Sequence, residues 1–181
     1  MEKPRPTYKL VILGDTGVGK TCLVHRLKTG SRPPPFQDST IGASFTLLET
    51  DTSRFEIWDT AGQERYQSLA PMYTRSAHCA IIVSTPNARQ TIDWKSMVEP
   101  NTAVVCAQNK CDLLALKDDQ QYKVRDEVKT FLISAMTGRC CDLLMEEIET
   151  ECKEVSKFLK PVQRRGVDIQ NEGVGKKNTC C

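Results

Sequence analysis

Residues Gly14-Asp15-Thr16-Gly17-Val18-Gly19-Lys20-Thr21 have the spacing G-x-x-x-x-G-K-[ST], and no other stretch constrains the fold as much. The run before them, residues 8–13, is largely apolar and reads as a buried strand. The run after them, residues 22–28, reads as a helix with Leu23, Val24 and Leu27 facing inward. A strand, a glycine-rich turn and a helix in that order make a phosphate-binding loop. The small residues let consecutive backbone N–H groups turn into one concavity. The helix N-terminus adds its partial positive charge. Lys20 is then placed to reach terminal phosphates, and the Thr21 hydroxyl to hold Mg²⁺.

A chain of 181 residues is expected to form one well-cored domain. Its composition, 39% hydrophobic and 27% charged, suits a globular protein in water. No secretory pattern and no bilayer-spanning run is expected, and Glu2 stands where N-myristoylation needs glycine. The net charge of +2 is accounted for by residues 161–181, where Arg164, Arg165, Lys176 and Lys177 outnumber Asp168 and Glu172. A body without net charge argues against a broad nucleic-acid-binding face. The nine cysteines are odd in number, and Cys140-Cys141 with Cys152 lack the spacing of a zinc site. A disulfide framework and zinc are therefore not expected. His25 and His78 read as a helix-surface and a partly buried histidine.

Short apolar strands alternate with helical stretches along the chain. After the first strand and helix comes a Pro-rich loop, 30–42. Runs 44–49 and 54–59 flank Thr50-Asp51-Thr52-Ser53, the pattern of a hairpin. Residues 79–84, 103–108 and 131–134 read as strands, and 91–98 and 119–129 as helices. A final helix is marked by Leu144, Ile148, Cys152, Val155 and Leu159 on one face. Such alternation predicts an α/β fold: a mostly parallel central sheet with helices on both faces and one antiparallel edge hairpin. Ligands of such sheets bind outside the carboxyl ends of the strands. From Pro161 on, polar residues replace apolar periodicity, so 161–181 reads as a flexible tail.

Three further stations follow the phosphate loop. Trp58-Asp59-Thr60-Ala61-Gly62-Gln63-Glu64 ends the third strand. Asp59 there can orient the Mg²⁺ shell opposite Thr21, and Gly62 lets the backbone approach a γ-phosphate. Gln63 is placed to orient a water for in-line attack. Asn109-Lys110-Cys111-Asp112 follows the strand 103–108. A buried Asp112 carboxylate, with two acceptor oxygens, matches the paired N1–H and N2–H₂ donors of guanine, a pair that adenine lacks. A site built on such bonds discriminates by ~10⁴-fold or more. Asn109 is positioned to tie this loop to the phosphate loop, and the Lys110 stem to lie along the base. Ser134-Ala135-Met136 comes last, with the Ala135 N–H expected at the guanine O6. Between the first two stations lies Thr40, whose hydroxyl would reach Mg²⁺ only when a γ-phosphate is present, ordering its loop in one nucleotide state.

Together these residues resemble the Ras superfamily of small GTPases, and its Rab branch most. Ser39-Thr40-Ile41-Gly42-Ala43, Phe55-Glu56-Ile57-Trp58, Gln63-Glu64-Arg65-Tyr66 and Ser68-Leu69-Ala70-Pro71-Met72-Tyr73 are the stretches most similar to the early-endosomal Rab subgroup. Arg165-Gly166-Val167-Asp168 is similar to that subgroup's tail. The resemblance implies a P-loop GTPase domain over residues 8–160, an N-terminal extension over 1–7, and a hypervariable tail over 161–181. It implies GTP/GDP and Mg²⁺ as ligands and slow intrinsic hydrolysis, on the order of 10⁻⁴ to 10⁻³ per second. Lys20 and Gln63 would act in catalysis. Asp15, Thr16, Gly17, Val18, Gly19, Lys20, Thr21, Cys22, Thr40, Gly62, Asn109, Lys110, Asp112, Ser134, Ala135 and Met136 would contact the nucleotide, and Thr21, Thr40 and Asp59 the metal. Phe45, Trp58 and Tyr73 would form the aromatic triad that effectors read. Cys180 and Cys181 would both be geranylgeranylated, since two lipid chains anchor stably where one does not. The family's partners are effectors, an exchange factor, a GTPase-activating protein, a prenyl-transfer escort and a GDP-dissociation inhibitor. A monomer is expected. It would cycle between cytosol and the cytoplasmic face of endosomal, vesicle or plasma membranes. Two rival readings are a shortened nucleotide-holding scaffold without hydrolysis and a P-loop ATPase, the latter disfavoured by Asn109-Lys110-x-Asp112.

The chain departs from the family in its connections. The hairpin 44–59 is short, 83–102 is shorter by roughly two helical turns, at about 3.6 residues each, and 112–134 is trimmed. Ser84-Thr85-Pro86 stands where Tyr-Asp is usual, Met136 where Lys is usual, and Thr16 where the superfamily often has Gly. The sheet is therefore expected to survive with abbreviated helices, and stability to lean on bound nucleotide.

Overall fold

The protein is described from a computed structural model, which covers residues 4–35, 38–86, 92–114, 122–125 and 128–158. Its seven-stranded sheet has the order β2-β3-β1-β4-β5-β7-β6. β1 (Thr7–Leu13), rich in branched apolar residues, lies at the centre between β3 (Arg54–Thr60) and β4 (Cys79–Ser84), parallel to both. β5 (Ala103–Gln108) and β7 (Val128–Leu132) extend the parallel set. β2 (Ala43–Glu49) pairs antiparallel with β3 at one edge, closed by the Thr50 N–H donating to Ser53 O at 2.9 Å.

Side chains of a strand alternate between faces, and both faces of the inner strands are buried. Leu10, Ile12, Phe55, Ile57, Ile81, Val83, Val105 and Phe131 face one way, packed by α1 (Lys20–Thr29) and α3 (Cys141–Ser156) through Leu23, Val24, Leu144, Ile148 and Cys152. Val11, Leu13, Ala80 and Ile82 face the other way, under α2 (Ala70–Thr74) and under Ile92 and Trp94. Among the described residues that second face is covered by a five-residue helix and by a connector that holds one turn, Lys95–Met97.

Three expectations are corrected. The helix expected over 119–129 is not formed by its described residues: Tyr122–Arg125 is β6, and Val128 and Lys129 already belong to β7. β6 pairs antiparallel with β7 (Tyr122 opposite Phe131, Arg125 opposite Val128), so the sheet carries a second antiparallel pair at its far edge. Pairing with β7 makes this segment a strand, since four residues of mixed character do not specify one alone. The strand expected at 131–134 consequently starts at Val128 and ends at Leu132. The helix expected at 91–98 is a single turn. Ile92 and Trp94, two apart, are both buried against the sheet, a spacing that a helix face cannot supply. Thr91, Leu159 and the tail with Cys180 and Cys181 lie outside the described residues. No helix among the described residues is long and apolar enough to cross a membrane.

Candidate functional site

The phosphate loop turns between β1 and α1. Gly19, with φ 94°, is held where a Cβ would stand 2.4 Å from Asn109 Nδ2, so only glycine fits. Lys20 opens α1, is 7% exposed, and folds back to donate to Gly14 O at 2.8 Å and Asp15 O at 3.0 Å. Burial pushes the Lys20 ammonium below its ordinary pKa, against the pull of Asp59 and Asp15.

Asp59, at the end of β3, is 1% exposed. Burial raises its carboxyl above the ordinary value, opposed by Thr21 and Lys20. The Thr21 hydroxyl donates to Asp59 Oδ2 at 2.6 Å, so the Thr40 hydroxyl, 3.0 Å away, donates to Thr21. Asp59 Oδ1 is buried with no hydrogen-bond partner among the described residues. An orphaned anionic oxygen beside two hydroxyls is a costly arrangement for protein alone. It suits a hard divalent cation that takes oxygen ligands and keeps waters, which is the chemistry of Mg²⁺.

Gly62 follows Asp59 by three residues. A Cβ there would meet Asp15 C and Lys20 Nζ, both at 2.5 Å, so the backbone crosses directly over the phosphate loop. The Ala61 N–H donates to Gly42 O at 2.7 Å, joining this segment to the loop that bears Thr40. Gln63 is half-exposed and precedes the turn Glu64–Leu69. A cavity of about 270 Å³ opens here, lined by Lys20, Thr21, Cys22, Thr40, Gly62 and Gln63, with Lys110 and Met136 at its far end.

The segments 109–112 and 134–136 meet the phosphate loop beside it. Asn109 is 2% exposed, donates from Nδ2 to Val18 O at 2.9 Å, and accepts the Ala135 N–H on Oδ1 at 2.9 Å. One amide thus holds three loops. Lys110, in the left-handed region at φ 67°, donates to Gly17 O at 2.7 Å. Two expectations need revision. The Ala135 N–H, expected at the base oxygen, is engaged with Asn109, so a base oxygen must share it. Asp112, expected to be buried, is the middle residue of the turn Cys111–Leu113 and is exposed. Ser134 is fully buried beneath the loop.

Two residues that sequence reasoning passed over hold the site in place. Arg26 on α1 donates from Nε to Ala135 O at 2.8 Å and from Nη2 to Met136 O at 2.6 Å. Trp94 donates from Nε1 to Asp15 Oδ1 at 2.7 Å. No spacing in the sequence singles out either one.

On the β2–β3 surface the structure gathers the aromatic trio. Phe45 faces Trp58 across the two strands, with ring centroids 5.5 Å apart, and Trp58 meets Tyr73 at 5.6 Å. Ile41, Phe45 and Met72 are exposed around it.

Comparison with known proteins agrees with this layout. The family described as "Ras of Complex, Roc, domain of DAPkinase" matches residues 9–112. The chain is 39% identical to "Ras-related protein Rab-5A" of Dictyostelium discoideum, over 96% of this chain and 95% of that protein. It is 46% identical to "Ras-related protein Rab5A" of Oryza sativa subsp. japonica, over 68% of this chain and 64% of that one. A relative that matches almost the whole length of both chains at this identity shows the family: the chain belongs to the Rab family of small GTPases, GTP-hydrolysing switches of endosomal traffic, like its early-endosomal subgroup.

Proposed function

We propose that the cleft between α1, the Thr40 loop and Gly62–Gln63 holds Mg²⁺-GTP, and that this chain's own residues divide the work as follows. The N–H groups of residues 15–22 cradle the phosphates, and the Lys20 ammonium sits against the terminal two. Thr21, Thr40 and Asp59 hold the metal, which when bound neutralises phosphate charge. Gly62 brings its N–H to the γ-phosphate, and Gln63 orients the attacking water. Asp112 accepts from the guanine N1–H and N2–H₂, Lys110 lies along the base, and Ala135 meets O6 by sharing its N–H with Asn109. Ser134 and Met136 complete the base loop.

The observation that supports this reading most is Asp59 Oδ1, a buried acceptor without a partner among the described residues, beside the hydroxyls of Thr21 and Thr40. Those hydroxyls lie on segments far apart in sequence, so their meeting is a property of the site rather than of local structure. Loss of the γ-phosphate removes what holds Thr40 and Gly62 together and loosens both segments. Phe45, Trp58 and Tyr73 border those segments and form the face that effectors read. In this reading residues 8–160 are the GTPase domain and 161–181 the tail, with Cys180 and Cys181 prenylated. Two lipid chains then anchor the domain to the cytoplasmic face of endosomal membranes, and basic residues of the tail favour anionic lipid. Exchange factor, activating protein, escort and dissociation inhibitor act on this monomer.

The test is the nucleotide that co-purifies with folded protein, followed by competition of GTP, GDP and ATP for the loaded site with Mg²⁺ present. Bound GDP or GTP, displaced by guanine nucleotides and not by ATP, is the expected result. Protein that is folded, empty and indifferent to guanine nucleotides at micromolar concentration overturns the proposal.

A further inference from the structure

Trp94 is 2% exposed and lies on the shortened β4–β5 connector, packed with Val11, Leu13, Ala80 and Ile82 on the second face of the sheet. A buried indole N–H needs an acceptor. This one takes the Asp15 carboxylate at 2.7 Å, across 79 residues of sequence. An ionised acceptor makes that bond stronger than a neutral one.

Asp15 is a junction. Its backbone oxygen accepts from Lys20 Nζ at 3.0 Å. Its peptide is also the wall against which Gly62 lies, since a Cβ on Gly62 would stand 2.5 Å from Asp15 C and 2.6 Å from Asp15 O. The side chain of one residue is thus held by the connector, while its backbone sets the two groups assigned to the terminal phosphates. The connector is fixed in turn to α2, because Thr74 Oγ1 donates to Met97 O at 2.9 Å. A shift of the Asp15 peptide therefore displaces Lys20 and Gly62 together.

We infer that Trp94 is a positioning residue: through Asp15 it sets Lys20 and Gly62 so that the site favours the triphosphate over the diphosphate. The inference rests on the reading of the cleft as the nucleotide site. It assigns a function to the connector, a segment that the family resemblance leaves as a mere shortening. Packing alone would not produce this preference, because packing on the sheet supports both nucleotide states equally.

The experiment measures equilibrium affinities for GDP and for a non-hydrolysable GTP analogue, with Mg²⁺, in wild type and Trp94→Phe. Phenylalanine keeps an aromatic ring in the core and lacks the N–H. The expected result is a roughly 10-fold loss for the GTP analogue and under about 3-fold for GDP, the size of one hydrogen bond to a charged group. Asp15→Ala should reproduce the altered ratio, and the double variant should be no worse than either single one. Asp15→Asn keeps an oxygen for the indole and should restore most of the ratio. A purely structural role lowers both affinities and the melting temperature together and leaves the ratio in place, which overturns the inference. Additive losses in the double variant overturn it too. If Trp94→Phe does not fold, Asp15→Asn compared with Asp15→Ala decides: both remove the charge beside Lys20 and only Asn keeps an acceptor for the indole, so equal changes in the ratio overturn the inference. Wild-type protein that binds neither nucleotide overturns the site reading and this inference with it. Wild-type binding with a ratio unmoved by these variants overturns the inference only.

Discussion

Asp112 and Gln63 are the two side chains whose proposed chemistry a single atom can reverse. The Asp112 carboxylate only accepts, and guanine offers two donors on that edge. Asn in its place presents an NH₂ that faces the guanine N2–H₂ donor to donor, whereas xanthine carries a carbonyl oxygen there. Asp112→Asn should therefore lose guanine nucleotides by ~10³-fold or more and gain xanthine nucleotides, read by competition against a labelled nucleotide; a site built on paired hydrogen bonds discriminates on this scale. Unchanged guanine preference would remove Asp112 from base recognition. Gln63 is half-exposed, at the mouth beside Gly62. Gln63→Leu keeps its bulk and removes the amide that orients water, so GTP should bind as before while single-turnover hydrolysis falls by at least ~10-fold. Equal rates for the two proteins would assign the water to another group.

At the scale of elements, the parts that repeat local physics were legible and the parts that depend on distant partners were not. β4 and β5 lie where continuous apolar runs put them, and α3 follows the four-residue spacing of Leu144, Ile148 and Cys152. β6 was not legible, because Tyr122–Arg125 becomes a strand by pairing with β7, not by its own hydrophobicity. Arg26 was hidden for the same reason: its acceptor Ala135 O lies 109 residues away. The guanidinium fork makes two charge-assisted bonds to adjacent carbonyls, geometry that an ammonium cannot match. Arg26→Lys and Arg26→Gln should both speed guanine-nucleotide release by about 10-fold, from loss of roughly 1.5 kcal/mol of charged hydrogen bonding. Stopped-flow release of a fluorescent guanine nucleotide measures this, and wild-type rates would show that α1 does not restrain the base loop. At the other end of the same face α3 grips the β2–β3 turn. Glu149 Oε1 accepts from Ser53 Oγ and Lys153 Nζ, both at 2.8 Å, and from the Thr52 hydroxyl. Burial favours its protonated form, but the bonds from Lys153, Thr52 and Ser53 outweigh it and hold the carboxyl below its ordinary value. A lowered folded-state pKa means stability that is present above the unfolded value and lost as pH falls through the folded one. The advantage of wild type over Glu149→Gln, about 1 kcal/mol near pH 7, should therefore shrink as the pH falls below the ordinary carboxylate range. Melting curves of the two proteins that stay parallel over that range would contradict it.

For the whole molecule, the trimmed connections have a thermodynamic consequence. The seven strands join in one sheet, and among the described residues its second face is covered by the short α2 and by the connector around Ile92 and Trp94. At the edge of that same core the chain holds two charged groups in positions that burial disfavours: Lys20, pushed down, and Asp59, pushed up with one oxygen unpaired among the described residues. Both shifts mean that each ion costs stability at neutral pH in the absence of a partner. Phosphates relieve the first and a divalent cation the second, and both act only on the folded chain. A ligand that binds only the native state stabilises by about 4 kcal/mol at a thousandfold excess over its Kd. In a domain of this size that is worth roughly 8–16 °C in Tm. Thermal melting should accordingly rise by that order with excess GDP and Mg²⁺. It should rise less with GDP alone, and a chelator should return the Mg²⁺ increment without stripping the GDP increment completely, because Lys20 and the loop N–H groups still hold the diphosphate. A Tm indifferent to nucleotide would mean that the abbreviated fold supports its buried charges unaided, and the link drawn here between short connections and ligand dependence would fail.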